Sequence, residues 1–451
     1  MAHAALDRVG MLVVEAPIAL LIGWWLLQHP AVGLGLLVGT VLVFEDDAEG
    51  FLPGTHHFYN RLPHIPLSPT DALLVALIAA VVVDRGRRRL PLRMPGPFVG
   101  IALLIGAAVA GGIVVGQADG WNSVQAFNSA RSLTYLIVLP VLVANVLDSP
   151  DALRRFALGA GGLIAFKGAE GSLAWLAGLG RQVGTGHLTY YEPLANAAMM
   201  AFVVAMVAAI AARVPIPRWA LAAAPVAGAA LLLSYRRSFW LATAVACVIA
   251  VLVASGRRGR PFVVFSGAVV IVAIYMAVSF GGATESQNTV VARVTSLSPS
   301  SLKGNAEDRY RLDEQRNVFE DIRRHPVAGL GFGVPWTIRY PLSQHFQDEQ
   351  NYTHVVAFWW WLKMGLLGIV AYLASVAVGI WAGYRLWRAH PAPWGRIIGV
   401  AIAASLVGLA VAETTGSFTG VDLRFTVGLA TAWGAMAAAL NGIEPGVAAR
   451  R

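Results

Sequence analysis

Charge is what this chain has least of. Of its 451 residues, 13% are Asp, Glu, Lys or Arg and 57% are hydrophobic. An average soluble domain carries about twice that charged share, so a solvated globular surface along most of the length is excluded. Cysteine is almost missing. Cys247 stands alone within an apolar run, and a disulfide framework is therefore impossible. Acidic residues are the scarcer sign, 25 against 34 basic, giving a net charge of +9. In a soluble protein that excess would suggest nucleic acid. Here the basic residues gather in short loops between apolar runs, and the positive-inside rule accounts for them with no nucleic-acid partner.

What is present is hydrocarbon-length sequence. Apolar runs of roughly 18 or more residues recur, each long enough to cross a bilayer core of about 30 Å. Expected spans are 9–28, 31–45, 70–84, 97–116, 130–148, 155–180, 190–213, 217–236, 237–255, 261–281, 357–387, 396–414 and 424–442. The fold class is an all-α polytopic integral membrane protein with about 12 transmembrane helices (12–13) and one long extracytoplasmic loop carrying an amphipathic helix. Met11 to Leu27 reads as a first membrane helix, not a cleavable leader. The short connection at His29–Pro30 leaves the side of the N-terminus open between two crossings and one crossing with a re-entrant piece.

Four units follow: N-terminal membrane helices over 1–281, the large loop over 282–356, C-terminal membrane helices over 357–442, and a cytoplasmic tail over 443–451. Basic loops at Arg85–Arg89, Arg154–Arg155, Arg213 with Arg218, Arg257–Arg260 and Arg385–His390 fall on one side, assigned to the cytoplasm. The large loop then faces outward. Within it, Asn305 to Arg324 reads as a helix with Asn305 as N-cap and Asp308 favoured by the helix dipole. Leu312, Val318, Phe319 and Ile322 fall near one face, leaving Arg309, Glu314, Arg316 and Glu320 for others. Pro326 ends the helix. It is expected to lie on the outer rim.

Candidate chemistry gathers on this outward side. Arg236 and Arg237 sit between two apolar stretches. They either snorkel to the interface or form an anion site, since an arginine fork matches phosphate oxygens bidentately. Arg309 and Arg311 open the loop helix, as solvated charges or, with Arg311 facing Arg237, as a diphosphate clamp. His354 follows Asp348, Glu349, Asn351 and Tyr352. Its ordinary pKa of about 6.5 suits hydrogen-bonding a phosphate or relaying a proton. Other features carry less. Gly329–Gly333 (GLGFG) lacks the strand of a dinucleotide fingerprint and reads as a tight turn. Glu45, Asp46, Asp47 and Glu49 with His56 and His57 match no metal motif. Lys167 and Glu170, at i,i+3 inside a span, either pair with each other or mark function. Trp359–Trp361 reads as an interfacial aromatic belt.

Taken together, these patches resemble the O-antigen ligase and O-antigen polymerase superfamily of bacterial envelope glycan enzymes. The family tends to show Ser-Arg-Gly-x-Trp-Leu at a helix boundary. Arg237-Ser238-Phe239-Trp240-Leu241 is similar, with Ser238 for the glycine. Its loop tends to carry an Arg, a Trp four residues on, then His-Pro and Gly-x-Gly. Here stand Arg311, Gln315 in place of the aromatic, His325-Pro326 and Gly329-Leu330-Gly331. A His-Asn followed by Gly-Leu-Leu-Gly is matched by His354, with Val355 for the asparagine, and Gly365–Gly368. A looser echo is Gly184-Thr185-Gly186 before Glu192-Pro193-Leu194-Ala195.

The resemblance implies a metal-independent, cofactor-free glycosyltransferase in the bacterial cytoplasmic (inner) membrane, its active site on the extracytoplasmic side. Its donor would be a polyprenyl-diphosphate-linked glycan and its acceptor a glycan, lipid or protein hydroxyl. His354, Arg311, Arg237 and Glu349 are the expected catalytic positions. Arg236, Arg309, Tyr352 and Asp348 are expected to bind substrate. The competing class is a transporter or flippase for a lipid-linked sugar or small anion, which would more often show inverted repeats with broken spans.

Overall fold

The computed structural model describes residues 23–45, 52, 55–60, 67–178, 181–183, 186–188, 192–234, 236–255, 306–342 and 349–443. In chain order its helices are α1 (Pro30–Val43), α2 (Pro69–Arg87), α3 (Gly96–Ala118), α4 (Ser123–Val146), α5 (Pro150–Leu176), α6 (Pro193–Ala212), α7 (Arg218–Leu233), α8 (Arg237–Ser255), α9 (Ala306–Arg324), α10 (Val356–Ala389), α11 (Pro393–Ala412) and α12 (Leu423–Asn441). A small hairpin, β1 (Arg181–Val183) against β2 (Gly186–Leu188), is the exception to the helical plan among the described residues. Among the described residues seven helices, α3, α4, α6, α8, α10, α11 and α12, are long and apolar enough to cross a membrane. The chain is a polytopic membrane protein. α1 and α7 are apolar but shorter. The expected span 261–281 and most of 9–28 lie outside the described residues.

Proline and small polar residues set where these helices begin. Ser68 and Asp71 form a reciprocal box at the start of α2: Ser68 Oγ accepts from the Asp71 N–H at 3.2 Å, and the Asp71 carboxylate accepts from the Ser68 N–H at 2.8 Å. Asn122 caps α4 through its side chain, so that helix starts at Ser123 and not near 130. Asp422 caps α12 at the Phe425 N–H, 2.7 Å away.

The helices pack as a bundle in which α12 lies along α4, α11 is wedged between α10 and α8, and α3 leans on α10. Several buried charges are paired, which offsets their desolvation. Arg131 reaches Asp71 at 2.8 Å, and the Tyr135 hydroxyl donates to the same carboxylate. Lys167 bridges Glu45 and Glu170, both at 3.1 Å. The i,i+3 pairing therefore exists, and Glu45 joins it instead of standing with a cation cluster. Arg424 pairs with Glu192 and lies over the Tyr59 ring.

The polar loop does not sit on top of this bundle; part of it is inserted. The glycine segment expected to be only a tight turn enters a slot between α3 and α10. Phe332 N–H donates to Gly112 of α3 at 2.9 Å, and Leu330 N–H donates to Leu362 of α10 at 2.6 Å. Gly331 has a φ of +82°, and a side chain there would collide with the Gly116 backbone. On the other wall, α10 breaks at Gly365, whose φ is +62°. That break frees Leu366 N–H to donate to Val327 at 3.0 Å. Phe332 ends fully buried.

Two further expectations are corrected. The tryptophans are not a surface belt: Trp359 and Trp360 are buried, and the Trp360 indole donates to Thr419 at 3.0 Å. Helix α9 buries Val318 and Ile322 as expected, but Leu312 and Phe319 are exposed. Its inner face is instead partly polar, with Tyr310, Glu314, Asn317 and Asp321 all buried.

Candidate functional site

The polar face of α9 is what builds the site. Positions 310, 314, 317 and 321 recur at helical spacing and so share one face. Each is used. Asn317 accepts from the Arg339 and Tyr340 N–H groups at 2.7 and 2.8 Å and donates to the Asp313 and Tyr340 carbonyls, both at 2.9 Å. Asp321 accepts from Thr337 N–H at 2.7 Å and pairs with Arg339 at 2.6 Å. These two residues fasten residues 337–340 to the helix.

Glu314 holds His354. One carboxylate oxygen, Oε2, takes the His354 N–H at 3.1 Å and faces Nδ1 of the same residue at 3.0 Å. Glu314 is fully buried while the histidine is only partly so. Facing a carboxylate, Nδ1 carries the proton in the neutral ring, and Nε2 is left as the acceptor. Tyr310 and Tyr352 stand edge-on to the imidazole, with ring centroids 5.9 and 5.0 Å away. The Tyr352 carbonyl in turn receives the Trp336 indole N–H at 2.8 Å. The ring is thus fixed in both position and tautomer.

Arg311 precedes Glu314 by three positions, so the two are neighbours on the helix surface. Arg311 is partly buried and Arg309 exposed. Arg237 begins α8 and reaches the same end of the bundle by a short chain of contacts. Phe239, two residues on, stacks on Phe418 with centroids 5.4 Å apart. The adjacent Ser417 hydroxyl donates to the Thr353 carbonyl, next to His354. Arg236 and Arg237 are both partly buried there. The structure therefore sets His354 against Glu314 and Tyr352 against the His354 ring, with Arg311 one turn before Glu314 on α9 and Arg237 at the start of α8. Glu349 lies in a short turn, Glu349–Asn351. Its side chain, and Asp348 altogether, lie outside the described residues.

Two residues of this neighbourhood were not singled out from sequence. Glu314 was assigned away from the apolar face. Glu413, just past α11, holds the 414–419 turn: its carboxylate accepts the Tyr372 hydroxyl and the Thr419 N–H, each at 2.8 Å. Burial pushes its carboxyl above the usual carboxylate range, against the hydrogen bonds from Thr419 and Tyr372. A lone carboxylate closing an apolar run was the available signal. Among the described residues no group of three or more His, Cys, Asp or Glu side chains could hold a metal ion.

No curated protein matches the chain. Residues 220–373 match the family model described as O-antigen ligase (Wzy_C). That interval contains Arg236, Arg237, Arg309, Arg311, Glu314, Tyr352 and His354, so the part of the chain that is similar to this family is the part that carries these residues.

Proposed function

We propose that this protein is a glycosyltransferase that moves a glycan from a polyprenyl-diphosphate carrier to an acceptor hydroxyl, as a ligase or a polymerase, on the outer face of the bacterial cytoplasmic membrane. The observation that carries this reading is the Glu314–His354 pair, whose geometry leaves Nε2 free to accept a proton. It is joined by the arginines that open α8 and α9.

In the proposed reaction the acceptor oxygen attacks the anomeric carbon and passes its proton to His354 Nε2. The bond from that carbon to the diphosphate oxygen breaks, and the diphosphate leaves with the electron pair. Charge growing on the leaving group is met by Arg237 and Arg311, preorganised in a site with limited water. A single displacement inverts the anomeric configuration. The role requires no metal, because guanidinium groups supply the positive charge. Glu314 does not touch the substrate. It orients the base and stabilises the imidazolium that forms, while Glu349 remains the fallback base. The segment 282–356 supplies the loop half of the site, and 1–281 and 357–442 its membrane walls.

The test is to incubate the purified full-length protein with a lipid-diphosphate glycan and an acceptor. Stoichiometric release of lipid diphosphate with a β-to-α or α-to-β change in the product supports transfer. Movement of an intact donor across proteoliposomes, with no release, would establish the transporter class instead.

A further inference from the structure

A cavity with several charged side chains in its lining lies at the far end of α10, the 34-residue helix that begins just after His354. Its volume is about 340 Å³. Three cations from separate elements line it: Arg85 at the end of α2, Arg93 in the next turn, and Arg154 in the first turns of α5. Asp148, Asp151 and His390 complete the charged and titratable lining. Asp148 is already engaged by Arg85 at 3.4 Å and by Arg88 at 3.3 Å.

Two helix starts also border this cavity: α5, capped by the Ser149 side chain, and α11, whose N-cap Ala392 supplies no side-chain cap. Uncapped N–H groups at a helix start favour an anion. Most telling is Arg85. Its side chain is only 4% exposed, yet its Nε makes no hydrogen bond among the described residues. Arg93 lies close enough to repel its charge. Arg85 pairs with Asp148 and donates to the Asn145 carbonyl, and its Nε is left as an unused buried donor beside a second cation, a group that an anion would satisfy.

An adjoining cavity of about 300 Å³ is almost wholly apolar and runs between α5, α6, α11 and α12. Leu153 lines both cavities. The charged cavity and the apolar one thus meet at the Leu153 side chain.

We propose that the Arg85–Arg93–Arg154 cavity binds a phosphate-bearing anion, supplied as the phosphodiester headgroup of an anionic glycerolipid whose acyl chain enters the apolar cavity. The site is separate from the transfer site and independent of the reaction proposed there. The test uses the full-length protein, stripped of lipid in detergent, and follows its thermal unfolding. The additions are phosphatidylglycerol, a diacylglycerol without phosphate, and inorganic phosphate against chloride at matched ionic strength. Saturable stabilisation by phosphatidylglycerol but not diacylglycerol is expected. Arg93→Gln or Arg154→Gln should raise the half-saturating concentration about tenfold, the loss of one charge-assisted bond. Both side chains reach solvent more than Arg85 does, so folding is spared. If inorganic phosphate reproduces the shift with the same arginine dependence, the anion site stands and its ligand is soluble. No stabilisation by either, or equal stabilisation of wild type and variants, overturns the proposal.

Discussion

Glu314 Oε2 meets His354 twice, at the backbone N–H and at Nδ1. One contact locates the residue and the other selects the tautomer. A loop residue 40 positions from its partner is thereby held as firmly as a neighbour on one helix. Proton transfer at Nε2 depends on that second contact, because a ring already protonated at Nε2 has no lone pair at that nitrogen to accept with.

His354→Ala should lower the transfer rate by about 10²–10⁴, the usual worth of a positioned general base. Glu314→Gln should lower it less, since the amide still occupies the space. In Glu314→Gln the Nδ1 proton loses its carboxylate, so the pH dependence of kcat should change along with its size. Adding Glu314→Gln to His354→Ala should cost little more. Full additivity in this cycle would separate the two residues.

Arg237→Gln and Arg311→Gln should each cost about 2–4 kcal/mol of transition-state stabilisation, read as loss of lipid-diphosphate release with membrane insertion unchanged. Near-normal turnover in both variants would remove the diphosphate clamp.

Gly331→Ala should lower the melting temperature and activity together. The new side chain meets strained backbone at φ +82° and the wall of α3 at Gly116. A loss of about 2 kcal/mol or more is expected for such a clash. Thermal unfolding in detergent measures it, and an unchanged midpoint would show that the slot relaxes freely.

His390, beyond the end of α10, gives a pH dependence. Burial holds its imidazole below the usual histidine value; its bond with Ala392 opposes that and the nearby Arg396 adds to it. The unfolded chain therefore takes up the proton more readily. The contribution is complete above the ordinary value of about 6.5 and is lost as pH falls through the folded one. Melting temperature in phosphate-free buffer should drop from pH 7.5 to 5.5, and His390→Gln should flatten that slope.

Hydropathy made the helices legible because membrane crossing imposes both a length and a composition. The spans near 97–116, 396–414 and 424–442 are recovered as α3, α11 and α12 within a few residues. Family motifs pointed to Arg237, Arg311 and His354. Glu314 was obscured by the assumption that a carboxylate on an amphipathic helix faces water. Its true signal was a polar stripe, Tyr310, Glu314, Asn317 and Asp321, with the same spacing that marks an apolar one. Trp359 and Trp360 misled similarly: a tryptophan run near a helix start reads as interfacial until the indole partner, Thr419 for Trp360, is known. The seating of the glycine segment between Gly116 and Gly365 depends on helices far apart in the chain, and local pattern does not contain it.

That seating also orders assembly. Residues 329–333 emerge from synthesis before α10, yet both walls of their slot are needed to hold them, and one wall is α10 itself. The segment must wait while α10 forms and only then seat between the two helices. Its buried amides find partners only at that moment. The completed slot is thus a checkpoint of biogenesis: a chain stalled before α10 has every arginine of the proposed site and no means of arranging them.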